Sequence, residues 1–353
     1  MDGGISVGII IPVYKIPGGM LRTCFDSLRN QEYKNIKILF VDDASPDDCG
    51  KMCDEFATED ERTFVIHNKE NKGVSASRNK GIEFIDTDYV TFVDGDDWID
   101  CNLISDIISW MNDKKEEFDI ILFRQMVNKD DSYEEDDYVS EKYWRTKEER
   151  NELQMSAISS SIKGVPDRAM SVDNVAGKLI KRRVLEENNI RFKGIPYRED
   201  GVFFQELVEC SKCIAVAPYG FYHYRMREGS AVNSFRPKAP EELLNLCKYM
   251  WEFADNNNKS EMYYNRLYSF LLIPIQMVIS TYYYHPSCKL RIIERHRECR
   301  KYLSEKPYAD MKKHIKIADL KRNSKVKYIL IRLKCYSLIY KLREFINRRG
   351  IRG

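Results

Sequence analysis

The chain of 353 residues is 43% hydrophobic and 32% charged, which excludes a disordered polypeptide and fits a soluble globular protein with one large domain and a smaller one. The formal net charge of +2 conceals an asymmetry: residues 311–353 carry 14 Lys and Arg against Asp319 and Glu344, a balance of +12, whereas residues 1–310 carry 43 basic and 53 acidic side chains, a balance of −10. The longest nearly apolar run, FLLIPIQMVI from Phe270, is too short to span a bilayer.

The opening MDGGISVGIIIPVYK has neither a charged n-region nor a cleavage site, and its apolar run ends at Pro12 as a first strand would. VGIIIPVY (7–14) predicts a buried strand, and Leu21, Phe25 and Leu28 recur at helical spacing after it. IKILFVDD (36–43) predicts a second strand ending in acid. A short helix around 51–56 follows, then a strand over TFVIHN (63–68), a helix over VSASRNKGIEFI, a strand in DYVTFVDGDD and another in FDIILFRQ (118–125). This alternation predicts an α/β fold with a mostly parallel central sheet flanked by helices. Ligands of such sheets collect outside the carboxyl ends of the strands. Those ends carry Pro12 and Tyr14, Asp42 and Asp43, and Asp94, Gly95 and Asp96.

In TFVDGDDWID (91–100), Asp94 and Asp96 of an extended chain project to the same side while Gly95 leaves room for a ligand. The stretch is either an acidic turn or a seat for a divalent cation, whose oxygen shell waters and phosphate oxygens would complete. Residues 128–152 are highly charged and predict a surface excursion. Beyond them come a helix over AGKLIKRRVLEENN, the segment GIPYREDGVFFQELVECSK, two short strands in CIAVAPYGFYHYR split by Pro218 and Gly220, and helices over 240–305. Glu199 and Asp200 precede an apolar helix, where acids also cap free N–H groups and favour the macrodipole. The ten cysteines form no regular framework and are expected to be reduced; Cys49 with Cys53 and Cys210 with Cys213 are read as small buried residues rather than zinc ligands.

IIIPVYK, FVDDASPDD, NKGVSASRNKGI, TFVDGDDW and YREDGVFF, in this order and spacing, resemble the successive signatures of the inverting family 2 glycosyltransferases of the GT-A fold. The resemblance covers roughly residues 5–235, and NVAGKLIKRRVL through YHYRMREGSAVN looks like the subgroup that builds bacterial capsular, lipopolysaccharide and exopolysaccharide chains. It implies a nucleotide-sugar donor, most simply a UDP-sugar, and a hydroxyl of a saccharide or lipid-linked saccharide as acceptor. Pro12 and Tyr14 would border the nucleotide pocket, Asp42 or Asp43 would bond the uracil or ribose, and Arg78 would lie near the base and diphosphate. Asp94 and Asp96 would form the DxD pair that binds Mn²⁺ or Mg²⁺, with Asp94 nearer the ribose or sugar; Asp97 would at most assist. Asp200 would be the general base, with Glu199 orienting or sensing the acceptor. The loop of His223, Tyr224, Arg225, Arg227 and Ser230 would close over the diphosphate, while Lys178 and Lys181 match the pattern without a derivable role. A nucleotidyltransferase would want a Gly-rich phosphate loop near the start, which is missing, and a non-catalytic scaffold would be expected to lose one of Asp94, Asp96 and Asp200.

The expected organisation is a catalytic domain over 1–235, a helical extension over 236–310 and a basic tail over 311–353. In the tail, Ile329, Leu330, Leu333, Tyr336, Leu338, Ile339 and Leu342 recur at roughly helical spacing among Lys and Arg, which predicts one basic amphipathic helix. Such a helix packs on the protein's own acidic body or lies on the anionic cytoplasmic leaflet. The expectation is a cytoplasmic protein held peripherally at the inner face of the cell membrane. Nucleic acid is not an expected partner, because the basic residues lack a reading motif.

Overall fold

The computed structural model describes residues 4–129, 132–134, 140–158, 174–226 and 234–348. Strand β1 (Val7–Val13) is buried along its whole length, as a run of Val and Ile must be when helices cover both faces of its sheet. Helix α1 (Gly18–Arg29), β2 (Ile36–Asp42), α2 (Cys49–Glu59), β3 (Thr63–His67), α3 (Val74–Phe84) and β4 (Tyr89–Phe92) follow in strict alternation. β2 and β4 flank β1 and β3 flanks β2, all in parallel. Phe25 of α1 stacks on Phe56 of α2 at 4.2 Å, with Phe40 of β2 tilted against both, so that face is sealed by aromatic packing.

The chain continues through β5 (Trp98–Ile99), α4 (Leu103–Lys114), β6 (Ile120–Lys129), β7 (Ser132–Glu134), β8 (Lys142–Trp144) and α5 (Lys147–Ile158), so part of the expected surface excursion is ordered as two strands and a helix. It then enters β9 (Lys178–Lys181), α6 (Arg182–Glu187), α7 (Glu199–Cys210) and β10 (Ile214–Arg225). The sheet order is β3-β2-β1-β4-β9-β6-β10-β5. Its first four strands are parallel; β9 is antiparallel to both neighbours, β6 and β10 run parallel, and β5 closes antiparallel to β10.

Two expectations change here. The helix foreseen over AGKLIKRRVLEENN begins only at Arg182, because Leu179 and Ile180 are fully buried in β9 between β4 and β6, and that pairing overrides the helix preference of Lys and Leu. Pro218 and Gly220 do not split their segment into two strands. β10 runs through them with a register shift between Val216 and Phe221, and Gly220 takes φ 65°, where a Cβ would stand 2.3 Å from Leu103.

The chain divides into two compact units: Met1–Gln154, Arg168–Gly194 and Arg198–Arg227 form the sheet unit, and Met155–Asp167, Ile195–Tyr197 and Glu228–Gly353 form a helical one. The helical unit contains α8 (Ala239–Asn256), α9 (Glu261–Phe270), α10 (Leu272–Val278), α11 (Ile292–Tyr302), α12 (Met311–His314), α13 (Arg322–Arg332) and α14 (Tyr336–Arg348). The predicted single tail helix is thus broken into α13 and α14 at Lys334, whose φ is 59°. Its apolar residues also part company: Tyr336 and Ile339 are buried, whereas Ile329, Leu333 and Leu338 are exposed. No helix among the described residues is long and apolar enough to cross a membrane. All ten cysteines are free; Cys49 and Cys53 are buried, but Cys210 and Cys213 are only half-buried.

Gly81 of α3 packs directly on β1, and a Cβ there would meet Ile10 Cγ2 at 2.4 Å. Alanine favours a helix interior over glycine by about 1 kcal/mol, but overpacking a filled core costs about 1–3 kcal/mol. Gly81→Ala is therefore expected to lower the urea midpoint with an unchanged slope, a net loss of about 1 kcal/mol.

Candidate active site

Because β1, β2 and β4 are parallel, their carboxyl ends meet on one rim, and a cavity of about 380 Å³ opens there. Pro12 and Tyr14 line it from β1 and just beyond, Asp43 from the residue after β2, Arg78 from α3, and Asp94 and Asp96 from the segment after β4.

Arg78 organises this cavity. Its side chain is 4% exposed; Nη2 donates to Asp94 Oδ1 at 2.9 Å, Nη1 donates to Asp200 Oδ1 at 2.6 Å, and Glu199 Oε1 lies 3.7 Å away. Residues 16 and 122 positions along the chain are thereby joined through one guanidinium. Burial works against that charge, but Asp200, Asp94 and Glu199 outweigh it and hold the Arg78 pKa above its ordinary value. Nε is buried and has no hydrogen-bond partner, which leaves one N–H on the cavity's cation unanswered.

Asp200 stands in the first turn of α7, and its second oxygen accepts the Val175 N–H at 3.1 Å. Burial raises its carboxyl pKa above the usual range, against the lowering pull of Arg78. Burial, followed by the charge of Asp200, raises Glu199 as well. A carboxylate whose affinity for a proton has been raised suits a base working near neutral pH.

Asp94 and Asp96 share the cavity for a different reason from the one their spacing suggests. The backbone is not extended there: Asp97 N–H donates to Asp94 C=O at 2.9 Å, closing a tight turn whose Asp94, Gly95 and Asp96 all line the cavity. The turn is buttressed from β10. The Tyr222 hydroxyl donates to Asp97 at 2.6 Å and accepts the Asp94 N–H at 3.2 Å, the Arg225 N–H donates to Asp97 at 2.7 Å, and Arg225 Nε donates to the Asp96 carbonyl at 3.0 Å. Burial, then the charge of Asp94, pushes the Asp97 carboxyl up to about 7.

Asp42 and Asp43 separate cleanly. Asp43 lines the cavity and accepts from Gly73 N–H at 2.7 Å and Asn68 Nδ2 at 2.8 Å. Asp42, 5% exposed, faces His67 Nδ1 at 3.0 Å and Ser45 N–H at 3.0 Å and does not line the cavity. His223 also lies outside the cavity lining: it stacks on Trp98 at 4.9 Å, and its Nε2 is 2.8 Å from Asp100. Arg227 and Ser230 lie outside the described residues. Sequence reasoning passed over Tyr222, the Val175 N–H and Ser77, which lines the cavity one residue before Arg78. Tyr222 sits in a strand whose register shift could not be foreseen, and a backbone N–H leaves no side-chain signal.

The cavity sets one buried cation among carboxylates at the strand ends of an α/β sheet, the rim where such sheets collect their ligands. Residues 8–168 match the family described as Glycosyl transferase family 2. Glycosyltransferase GlyA of Streptococcus pneumoniae is 31% identical over 64% of this chain and 31% of its own length, and EpsH of Bacillus subtilis is 29% identical over 76% of this chain and 74% of its own. The chain thus spans under a third of the length of GlyA. The structure of Staphylococcus aureus TarS 1-349 in complex with UDP-GlcNAc superposes with a TM-score of 0.61 at 17% identity, covering 98% of this chain and 92% of that one. A family 2 glycosyltransferase domain thus occupies residues 8–168 of the chain, on a fold similar to GT-A structures.

Arg78→Met strands three carboxylates around an apolar side chain, and removing one partner from a buried ion pair typically costs about 3–5 kcal/mol. Without the guanidinium, the Asp200 and Glu199 pKa values rise further, so the folded state resists their ionisation more strongly. For acids raised in the fold, stability is retained at low pH and lost as pH climbs from their unfolded values through the folded ones. The deficit of Arg78→Met relative to the wild type, measured by urea unfolding, is therefore expected to be larger at pH 8 than at pH 5.

Proposed function

We propose that the protein is a metal-dependent, inverting glycosyltransferase that moves a sugar from a nucleotide-sugar, most simply a UDP-sugar, to a hydroxyl of a saccharide or lipid-linked saccharide in the synthesis of a cell-surface polysaccharide. The observation that carries this reading is the Arg78 bridge, with Asp94 at one end and Asp200 at the other of a single guanidinium. Asp94 lines the cavity and Asp200 is joined to it through Arg78, and donor and acceptor chemistry need two such carboxylates close together: one beside the leaving diphosphate, the other beside the attacking hydroxyl. The UDP-GlcNAc complex of the structurally similar TarS supports the donor class.

Asp94 and Asp96 fit a divalent ion, being hard oxygen donors that line the cavity either side of Gly95. Among the described residues no group of three or more His, Cys, Asp or Glu is arranged to hold a metal; Asp94 and Asp96 are the pair this reading assigns to it. When bound, Mn²⁺ or Mg²⁺ supplies charge to the departing diphosphate. Arg78, which lines the cavity beside Asp94, brings its positive charge near the diphosphate. Asp43 accepts from the base or ribose, and Pro12 and Tyr14 border the nucleotide. Asp200 takes the proton of the acceptor hydroxyl as that oxygen bonds to the anomeric carbon and the bond to the diphosphate oxygen breaks, so the anomeric configuration inverts. Glu199 orients the acceptor.

Every residue of the cavity falls within 1–235, which is therefore assigned as the catalytic domain, with a helical extension over 236–310. The tail over 311–353, with its balance of +12, attaches a cytoplasmic enzyme to the anionic inner face of the cell membrane, where lipid-linked acceptors reside.

Asp96→Asn is expected to cut turnover by about a hundredfold, the usual loss when a principal electrostatic stabiliser is removed, with the thermal midpoint unchanged. Excess chelator should abolish nucleotide release from a panel of UDP- and GDP-sugars, and Mn²⁺ should restore it; full activity in chelator would defeat the metal assignment. Asp200→Asn should lower transfer by about a hundredfold to ten-thousandfold while donor affinity, read by calorimetry, stays within a few-fold. Proton NMR of the product should show the inverted anomer, and retention would remove Asp200 from the role of base.

A further inference from the structure

Lys178, the first residue of β9, is 2% exposed. Burying an ammonium is costly unless acceptors take the place of its water. Here Nζ turns back on the preceding segment and donates to the carbonyls of Asn174 and Ala176, the second at 3.3 Å. Gln125 of β6, the strand paired with β9, ties the same two residues: its Nε2 donates to the Ala176 carbonyl at 2.9 Å and to Asn174 Oδ1 at 3.1 Å, and its Oε1 accepts from Asn174 Nδ2 at 3.1 Å. Both neighbours of Val175 are thereby fixed, and Val175 supplies the N–H that holds Asp200 Oδ2.

Asp200 is gripped at both oxygens, by Arg78 of α3 at Oδ1 and by this tied segment at Oδ2. Each carboxylate oxygen keeps a lone pair to spare. A neutral donor would satisfy two carbonyls at lower cost; what a charge adds is its pull on Asp200. Lys178 Nζ lies 5.2 Å from the ring centroid of Phe204, one turn along α7 from Asp200. The charged groups acting on Asp200 are Arg78, Asp94, Lys178 and, beside it on α7, Glu199. Burial raises the Asp200 carboxyl and Asp94 adds to the rise; Arg78 opposes it most, and the Val175 N–H and then the Lys178 charge lower it further. Lys178 thus acts on Asp200 twice, through the backbone it ties and through its charge.

We propose that Lys178 is a positioning residue for Asp200, holding 174–176 together with Gln125 so that the Val175 N–H fixes the carboxylate that takes the acceptor's proton. This rests on the assignment of Asp200 as base and extends it to a residue that acts through the base alone.

The test reads nucleotide released to water by the full chain, from whichever UDP- or GDP-sugar it turns over fastest with Mn²⁺, in a cycle of Lys178→Met, Asp200→Asn and the double variant. Lys178→Met keeps an unbranched stem beside Phe204 and removes the ammonium. It is expected to lower kcat by about tenfold to a hundredfold, as a small misplacement of a reacting group does, with the donor KM within a few-fold, and to cost almost nothing further once Asp200→Asn is in place. Gln125→Leu loosens the same segment without removing the cation, and run through the same cycle it carries the test if Lys178→Met does not fold. In carbon NMR of protein labelled at the aspartate carboxyls, with the Asp200 signal identified by its loss in Asp200→Asn, both variants should titrate at higher pH than the wild type, a readout that needs no turnover. Equal fractional losses with and without Asp200→Asn, or an Asp200 signal that titrates as in the wild type, would overturn the positioning role and leave the base assignment standing. Wild-type release by Asp200→Asn would overturn the base assignment and the positioning role with it.

Discussion

A guanidinium that is 4% exposed cannot remain in a fold without counter-charges, and Arg78 has three around it. Desolvation of that one cation is the constraint on which the site depends. Asp94 cannot swing away without leaving Arg78 short of a partner, and neither can Asp200, so the two carboxylates with opposite proposed tasks are held at a fixed separation before any ligand arrives. Preorganisation of this kind lets a polar site act on developing charge without first rearranging itself. The same arrangement explains why Asp200 retains a raised pKa although it touches a cation: its burial outweighs the attraction.

The second support is mechanical. β10 lies away from the parallel strands whose ends form the cavity, yet Tyr222 and Arg225 reach back to clamp the turn at Asp94–Asp97 from both sides. They can do so because the register of β10 shifts between Val216 and Phe221, where Gly220 adopts a backbone conformation that side chains resist and lies against Leu103. Asp97, buried beneath the turn, plays a structural part: two donors fix its oxygens, and through it the peptide of Asp94. Arg225 adds its guanidinium over the Trp98 ring at 4.6 Å, with His223 stacked on the same ring. Tyr222 and Arg225 thus support the turn that carries a pair of acids.

The parallel strands and their acidic ends were legible because both rest on local patterning: VGIIIPV and IKILFVD are apolar runs that only a buried strand accommodates, and Asp43, Asp94 and Asp96 fall where such strands stop. Asp200 was legible as a residue, but its bond to Arg78 was not, since nothing in a linear pattern pairs positions 122 apart. The choice between Asp42 and Asp43 turned on His67, which accepts the company of Asp42 and Asp54 alike and takes Asp42 out of the cavity. β9 was misread as helix because four residues of Lys, Leu and Ile carry no period of their own; the neighbours that decide their state are β4 and β6, far away in sequence. In the tail, spacing suggested one helix, and a single left-handed residue, Lys334, split its apolar residues between core and surface.

The insertion of β9 between β4 and β6 sets an order of events for a chain made from its amino end. By the time β6 has been synthesised, β1 to β4 can already pair and bury their aromatic core, but the gap between β4 and β6 stays open until residues 178–181 are made. Arg78 meets Asp94 early and waits more than a hundred residues for Asp200. The growing chain thus carries an unfinished seam in its sheet, a stretch of unpaired backbone beside Val90 and Ile120 that offers itself to any extended polypeptide nearby. Truncation anywhere short of β9 leaves that seam permanently open, so shortened forms of this protein are marked for aggregation by topology rather than by composition.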